Sequence, residues 1–281
     1  MKSIIETKGY RPKKRLGQHF LRDRGVVHKI IELAGFRKSD HVLEIGAGLG
    51  ALTIPLAGRV QKVTAVEKDS QLTQMLGEKL SRAGITNVIL RNEDILKLDL
   101  EGIRENSEEK IVAIGNLPYN ISSPFLEKLI AGRDVIGKAI LMFQYEFARR
   151  LLSKPGGKEY GAITVLIRYD ATVSPLLEVS RESFYPRPKV GSMVLMIDMG
   201  RPHPVRAQDE AVFKRVVKGA FSHRRKTVLN SLKGALPSYG GDSISEALKR
   251  CAIDSVRRAE TVHIDEFIQL ASELKGIEGE A

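Results

Sequence analysis

The sequence holds one cysteine, Cys251, among 281 residues. A single cysteine excludes an internal disulfide and any metal site built on cysteine clusters. In a helical-looking stretch it reads as a small buried hydrophobe rather than a nucleophile. No run reaches the roughly 18 apolar residues of a membrane-spanning helix. The N-terminus MKSIIETKGYRPKKR lacks the apolar core of a secretory signal. The six histidines His19, His28, His41, His203, His223 and His263 show no metal-ligand spacing, so no metal is expected. Neither a nucleophile elbow nor a P-loop is visible. There is no low-complexity tract, and the apolar share of 42% fits a globular chain. These absences together predict a cytoplasmic protein without a membrane partner.

What the chain does have is positive charge, +11 overall, unevenly placed. Residues 1–40 hold 11 Lys/Arg against 4 Asp/Glu, residues 201–281 hold 14 against 11, and the middle is near neutral. A basic arm before a near-neutral domain predicts a polyanionic partner. The clusters Arg11, Lys13, Lys14, Arg15 and His223-Arg224-Arg225-Lys226 favour nucleic acid over a merely solvated tail.

Hydrophobic periodicity predicts an amphipathic helix over 23–35 and then strands alternating with helices: strands at 41–45, 62–67, 87–94, 110–116 and 138–143, with helices at 51–58, 70–83, 123–132 and 144–153. A polar, Glu-rich loop is expected at 101–109. Segments 160–172 and 190–199 read as a closing strand pair with one antiparallel member. This order implies a mostly parallel sheet with right-handed crossovers. From about residue 205 the pattern is helical, over 208–221, 225–236, 243–252 and 263–275. Gly200-Arg201-Pro202-His203-Pro204 marks the break, giving domains 1–204 and 205–281.

Glu44-Ile45-Gly46-Ala47-Gly48-Leu49-Gly50 sits between a strand and a helix, where glycines let the backbone turn sharply and approach a ligand. The spacing is G-x-G-x-G, not the G-x-G-x-x-G of a pyrophosphate-binding turn. A phosphate-free nucleoside such as S-adenosylmethionine suits it better than NAD. Glu67 ends the second strand, 21 residues after Gly46, where a carboxylate grips ribose hydroxyls. Asp94 is expected at the end of the third strand as acceptor for the cofactor's adenine amine. Glu44 orders the turn through hydrogen bonds.

Asn116-Leu117-Pro118-Tyr119 follows the fourth strand. An aromatic amine is a poor nucleophile because its lone pair is delocalised into the ring. Acceptors aimed at its N–H groups localise that pair, and the Asn116 side-chain oxygen and the Leu117 carbonyl can serve. Pro118 stiffens the loop, and Tyr119 offers a face on which a flipped base can stack. Transfer would be an in-line displacement, with catalysis mainly by positioning. The segment leaves the planar amine open, because related loops serve DNA adenine and protein glutamine as well.

Five segments narrow the choice. Arg15 to Leu21 (RLGQHFL), Glu44 to Gly50, Asn116 to Ser122 (NLPYNIS), Phe184 to Val190 (FYPRPKV) and Phe221 to Thr227 (FSHRRKT) occur in this order. Together they resemble the KsgA family of small-subunit ribosomal RNA adenine dimethyltransferases, over roughly residues 10–275. The resemblance implies a Rossmann-like class I methyltransferase domain with a mostly parallel seven-stranded sheet, and a small all-helical C-terminal domain that binds the ribosome. It implies a monomer that uses S-adenosylmethionine to dimethylate two adjacent adenosines near the 3′ end of 16S rRNA in the 30S subunit. By motif position it implies cofactor contacts at His19, Leu21, Gly46, Gly48, Glu67, Asp94 and Asn116. Tyr119 matches the base-stacking aromatic, and Phe184 a second aromatic that closes over the base. The arm and the 224–226 cluster would meet rRNA phosphates. Two departures, Arg187 and Gly191, fall where the family carries Pro and Asp; neither position is expected to do chemistry.

The rival of the same fold is the macrolide-resistance type that methylates 23S rRNA, which tends to carry N-I-P-Y and lacks the FYPRPKV and FSHRRKT segments. A non-catalytic assembly or transcription factor is a rival of another class, opposed by the intact Gly46, Glu67, Asp94 and Asn116. A protein or small-molecule methyltransferase is opposed by the basic arm.

Overall fold

The computed structural model describes residues 10–104 and 109–280; for Lys14 and residues 278–280 only the backbone is described. Residues 1–9 of the basic arm and 105–108 of the Glu-rich loop lie outside the described residues. The described residues fall into two compact units, one within 10–148 together with 172–200, the other of 149–171 with 201–280. Segment 149–171 therefore belongs with the helical unit, which corrects the single break expected at 204.

The first unit is built on a seven-stranded sheet. Its strands are β2 (His41–Ile45), β3 (Lys62–Val66), β4 (Val88–Arg91), β5 (Ile111–Asn116), β6 (Ile136–Gln144), β7 (Thr172–Val179) and β9 (Ser192–Asp198), in the order β4-β3-β2-β5-β6-β9-β7. Only β9 runs against its neighbours; the other pairings are parallel. The central strands are buried on both faces and read as mainly apolar runs, broken by the buried Glu44 in β2 and Thr64 in β3. A second, two-stranded sheet pairs β1 (Phe20–Leu21) with β8 (Phe184–Tyr185).

Local chemistry sets the helix ends. Helix α1 (Arg24–Ala34) starts where the Asp23 carboxylate accepts from the Val26 N–H, and stops at Gly35 in the left-handed region. It buries Val27, Ile30, Ile31 and Ala34, one face at helical spacing. Those side chains join Val42, Leu56, Val63, Leu80, Val112, Ile140 and Val194 in one core. Helix α2 (Thr53–Ala57) follows β2, and α3 (Ser70–Arg82) follows β3, capped by Asp69. The short α4 (Glu101–Arg104) occupies part of the Glu-rich stretch. Helix α5 (Ser122–Ala131) leads towards β6, and α6 (Tyr145–Leu152) follows it.

Stretch 160–172 is not a strand. Ala162–Asp170 forms helix α7, buried nearly all round through Thr164, Val165, Leu166, Ile167 and Tyr169. A continuous apolar run looks the same in a buried helix and a buried strand, so periodicity does not separate them. The true partner of β9 begins at Thr172, on the sheet edge, where Pro175 is tolerated beside a bulge.

In the second unit α7 joins α8 (Glu210–Ala220), α9 (Val228–Ala235), α10 (Gly241–Arg250) and α11 (Ile264–Glu280). Tyr169 stacks on Phe213 with ring centroids 4.3 Å apart, and the Arg206 guanidinium covers the Tyr169 ring at 3.6 Å. Arg206 also pairs with the buried Asp170 at 3.0 Å. These contacts hold α7 in the helical unit. Thr227 caps α9 by accepting from the Asn230 N–H, so Arg225 and Lys226 stay in the exposed turn before it, not in a helix from 225.

Candidate active site

The strand order reverses direction between β2 and β5: β3 and β4 lie to one side, β6 to the other. The loops leaving β2 and β5 therefore part and open a crevice at the carboxyl ends of the strands, where open α/β sheets bind ligands. A pocket lies there, walled by the 46–52 turn, Glu67, Asp94, residues 116–121 and residues 16–21. Gly115 lets β2 and β5 close up beneath it, since a Cβ there would stand 2.7 Å from the Ile45 carbonyl oxygen.

In the turn after β2, Gly46, Gly48 and Gly50 all have positive φ, at 73°, 54° and 80°, which side-chain-bearing residues rarely adopt. The Phe20 ring sits 3.3 Å from where a Gly48 Cβ would be. Glu67, only 8% exposed, is held in one orientation: the Gly48 N–H donates to its Oε2 at 2.9 Å and the Asp69 N–H to its Oε1 at 2.8 Å. Burial pushes its carboxyl up from the usual value, against the pull of those two N–H donors. Each oxygen keeps a further lone pair for a hydroxyl.

Asp94 lies three residues past the end of β4, not on the strand, because β4 stops at Arg91. Its Oδ1 accepts from the Leu96 N–H, and Lys68 pairs with Oδ2 at 2.7 Å, keeping it ionised. It still lines the pocket. Glu44 is fully buried under the turn, its Oε2 has no hydrogen-bond partner, and burial pushes its carboxyl up to about 8.

Across the crevice, the Asn116 amide Nδ2 donates to the His19 carbonyl at 2.8 Å. A carbonyl can only accept, so this bond fixes the amide's sense and leaves Oδ1 as the acceptor. The Tyr119 ring stacks on the His19 ring at 5.5 Å, and its hydroxyl lies 3.5 Å from Ser192 Oγ. His19 Nδ1 is 2.7 Å from the Pro186 carbonyl, which makes that nitrogen the protonated one. Leu117 is buried, and Pro118 is half-buried at the pocket wall.

Phe184 is not at the pocket. It is 1% exposed and packs in the core with Leu21, Val27 and Val179. In the β1–β8 pairing Leu21 stands opposite Phe184 and both turn to that core, while Phe20 and Tyr185 turn the other way, with Tyr10. Sequence reasoning missed this two-residue ladder. It also missed Asp69 and Tyr10 behind Glu67; an Asp just ahead of a helix was a legible cap signal, but nothing marked Tyr10.

Of the basic residues, Arg11, Arg15, Arg224, Arg225 and Lys226 are exposed, whereas Lys13 pairs with Asp69 at 2.7 Å. The Cys251 thiol is half-buried, and burial together with nearby Glu273 pushes it up to about 11, so it stays protonated. Among the described residues no group of His, Cys, Asp and Glu could hold a metal ion, and no helix is long and apolar enough to cross a membrane.

Residues 9–275 match the family described as "Ribosomal RNA adenine dimethylase". The chain belongs to that family. Two curated relatives carry the name "Ribosomal RNA small subunit methyltransferase A". One, from Desulforapulum autotrophicum, is 42% identical over 95% of this chain and 93% of its own. The other, from Moorella thermoacetica, is 41% identical over 97% and 96%. Among solved structures, a dimethyladenosine transferase from Plasmodium falciparum superposes with a TM-score of 0.76 at 26% identity, covering 92% of this chain and 98% of that one. The 23S rRNA methyltransferase ErmE superposes with a TM-score of 0.67 at 28% identity, covering 91% and 99%. Membership of the family makes the chain a methyltransferase of the Rossmann-like class that uses S-adenosylmethionine. The pocket fits that donor: a glycine turn with open backbone, an oriented strand-end carboxylate and apolar walls.

Proposed function

We propose that the protein transfers methyl groups to N6 of two adjacent adenosines near the 3′ end of 16S rRNA in the 30S subunit. The observation that carries this reading is the Asn116–His19 bond, which leaves Asn116 Oδ1 as a pre-aimed acceptor beside the Tyr119 ring. Glu67 would hold the cofactor ribose and Asp94 its adenine amine, with His19, Leu21, Gly46 and Gly48 forming the wall around it. When bound, the cofactor supplies an electrophilic sulfonium methyl. The target adenine stacks on the Tyr119 face opposite His19. Asn116 Oδ1 and the Leu117 carbonyl accept from its amine, so the lone pair is localised and aligned. The proton lost after transfer leaves through those acceptors to solvent. Pro118 holds the loop still.

Phosphate contacts fall to Arg11, Arg15, Arg224, Arg225 and Lys226, with Lys14 in the same run. The helical unit of 149–171 and 201–281 orients the protein on the subunit. A ribosomal substrate puts the protein in the cytoplasm. One copy carries every group the reaction uses, so it works as a monomer. The small-subunit reading is favoured over 23S rRNA by the 42% and 41% identity to relatives named for the small subunit.

Asn116→Ala tests the acceptor role. Transfer to 30S subunits should fall about 100-fold or more, the scale for removing one oriented polar group from a reacting centre, while filter binding to 30S subunits is retained. Full activity in that variant would remove Asn116 from the mechanism.

A further inference from the structure

The basic segment reads as an RNA arm, yet its inner side chains point at the cofactor pocket's frame. Tyr10 is 2% exposed, and its hydroxyl lies 2.9 Å from Asp69 Oδ2 and 2.6 Å from Gln18 Oε1. Lys13 Nζ reaches the same Asp69 oxygen at 2.7 Å, and Gln18 Nε2 donates to it at 3.3 Å. The Lys13 main-chain N–H closes the ring by donating to Gln18 Oε1 at 2.8 Å. One carboxylate oxygen, on a side chain with no exposed surface, thus gathers donors from three arm residues. Capping α3 does not need this, because Asp69 Oδ1 does the capping through the Gln71 N–H.

Asp69 leads directly to Glu67, because its own N–H donates to Glu67 Oε1. The arm reaches the other partner of Glu67 too. The Tyr10 ring meets Phe20 edge-on with centroids 6.2 Å apart, and Phe20 fills the space over Gly48, whose N–H holds Glu67 Oε2. The Gly48 and Asp69 N–H groups, which bond its two oxygens, are therefore backed by the arm.

We infer that residues 10–20 form a strap latched on Asp69 that positions Glu67 and closes the cofactor pocket, making Tyr10, Lys13 and Gln18 positioning residues for the donor nucleoside. This rests on the reading of Glu67 as the ribose acceptor. It moves Lys13 out of the set of phosphate contacts. A lysine that serves phosphates presents its ammonium to solvent; this one neutralises a buried carboxylate, and removing one partner of such a pair strands the other charge. Burial favours the neutral acid of Asp69, but Lys13, Tyr10 and Gln18 outweigh it and keep the carboxylate ionised.

The test measures S-adenosylhomocysteine affinity by calorimetry in the full chain, with Tyr10→Phe, Lys13→Met, Lys13→Arg and Glu67→Ala. Lys13→Met should weaken binding about tenfold, the scale of one lost charge-assisted hydrogen bond. Lys13→Arg should recover most of it. Tyr10→Phe keeps the ring; it should weaken binding to a smaller degree, raise the KM for S-adenosylmethionine at unchanged kcat, and leave 30S affinity as it was. Wild-type affinity in Tyr10→Phe and Lys13→Met, beside a weakened Glu67→Ala, overturns the strap alone. So does a Lys13→Met protein that loses 30S affinity but keeps the cofactor. Wild-type affinity in Glu67→Ala overturns the ribose reading beneath it.

Discussion

Glu44 carries a proton that an exposed glutamate would have lost. Its ordinary value is 4.5, and burial under the glycine turn lifts it to about 8. Between those values the folded chain keeps a proton that the unfolded chain releases, so stability falls as pH rises through that window. The contribution is fully present below 4.5 and is lost as pH passes 8. Glu44→Gln has no proton to lose. The drop in melting midpoint from about pH 5 to about pH 8 should be smaller in the variant than in the wild type; parallel curves would mean Glu44 titrates normally. Glu67, one strand further along the chain but against the same turn, is also pushed up by burial, yet the backbone N–H groups of Gly48, Lys68 and Asp69 stabilise its ionised form. Both acids thus have hydrogen-bond partners, Thr53 for Glu44 and backbone N–H groups for Glu67; they differ in depth, because Glu44 is wholly buried under the turn and Glu67 keeps a little surface at the pocket wall.

At the scale of elements, the site depends on how closely β2 and β5 approach. Gly115 opposes Ile45 in that pairing, and the strand leads straight to Asn116. An alanine there has no flexible chain end to displace, only the Ile45 carbonyl and the Ile45 Cβ, which is fixed to the backbone. Gly115→Ala should cost about 1–3 kcal/mol in denaturant unfolding, as overpacking does, and should lower transfer by shifting Asn116. An unchanged midpoint would show that the strands can part. The alternating strands, the turn after β2 and the loop after β5 are legible in the sequence because each has a local signature: apolar runs of strand length, glycines at a strand end, and an Asn-x-Pro-Tyr loop. Helix α7 is not, because its buried run lacks a polar face to reveal its period. The end of β4 is blurred because the polar residues between Arg91 and Asp94 continue no clear alternation. Phe184 is misplaced by its motif for a different reason: which face of a two-residue ladder a ring takes depends on the pairing of β1 with β8, set by residues more than 160 apart.

At the scale of the whole molecule, the proposed roles divide the described positive charge by task. The strap uses Lys13 internally, while Arg224, Arg225 and Lys226 are exposed in the turn before α9. Replacing those three with alanine should weaken 30S binding and flatten its salt dependence, by about 0.7 in the log–log slope for each single-strand phosphate that is no longer neutralised. Cofactor affinity should not change. A variant with the wild-type slope would place the RNA-binding surface elsewhere.

The identity of the methylated base is the central claim. Unmethylated 30S subunits, 50S subunits and a protein extract are incubated in turn with the protein and methyl-labelled S-adenosylmethionine, and the product is mapped by primer extension. Dimethyladenosine is expected at two adjacent positions near the 3′ end of 16S rRNA, from the 30S incubation alone. Label confined to 23S rRNA, or no label in RNA at all, would contradict it.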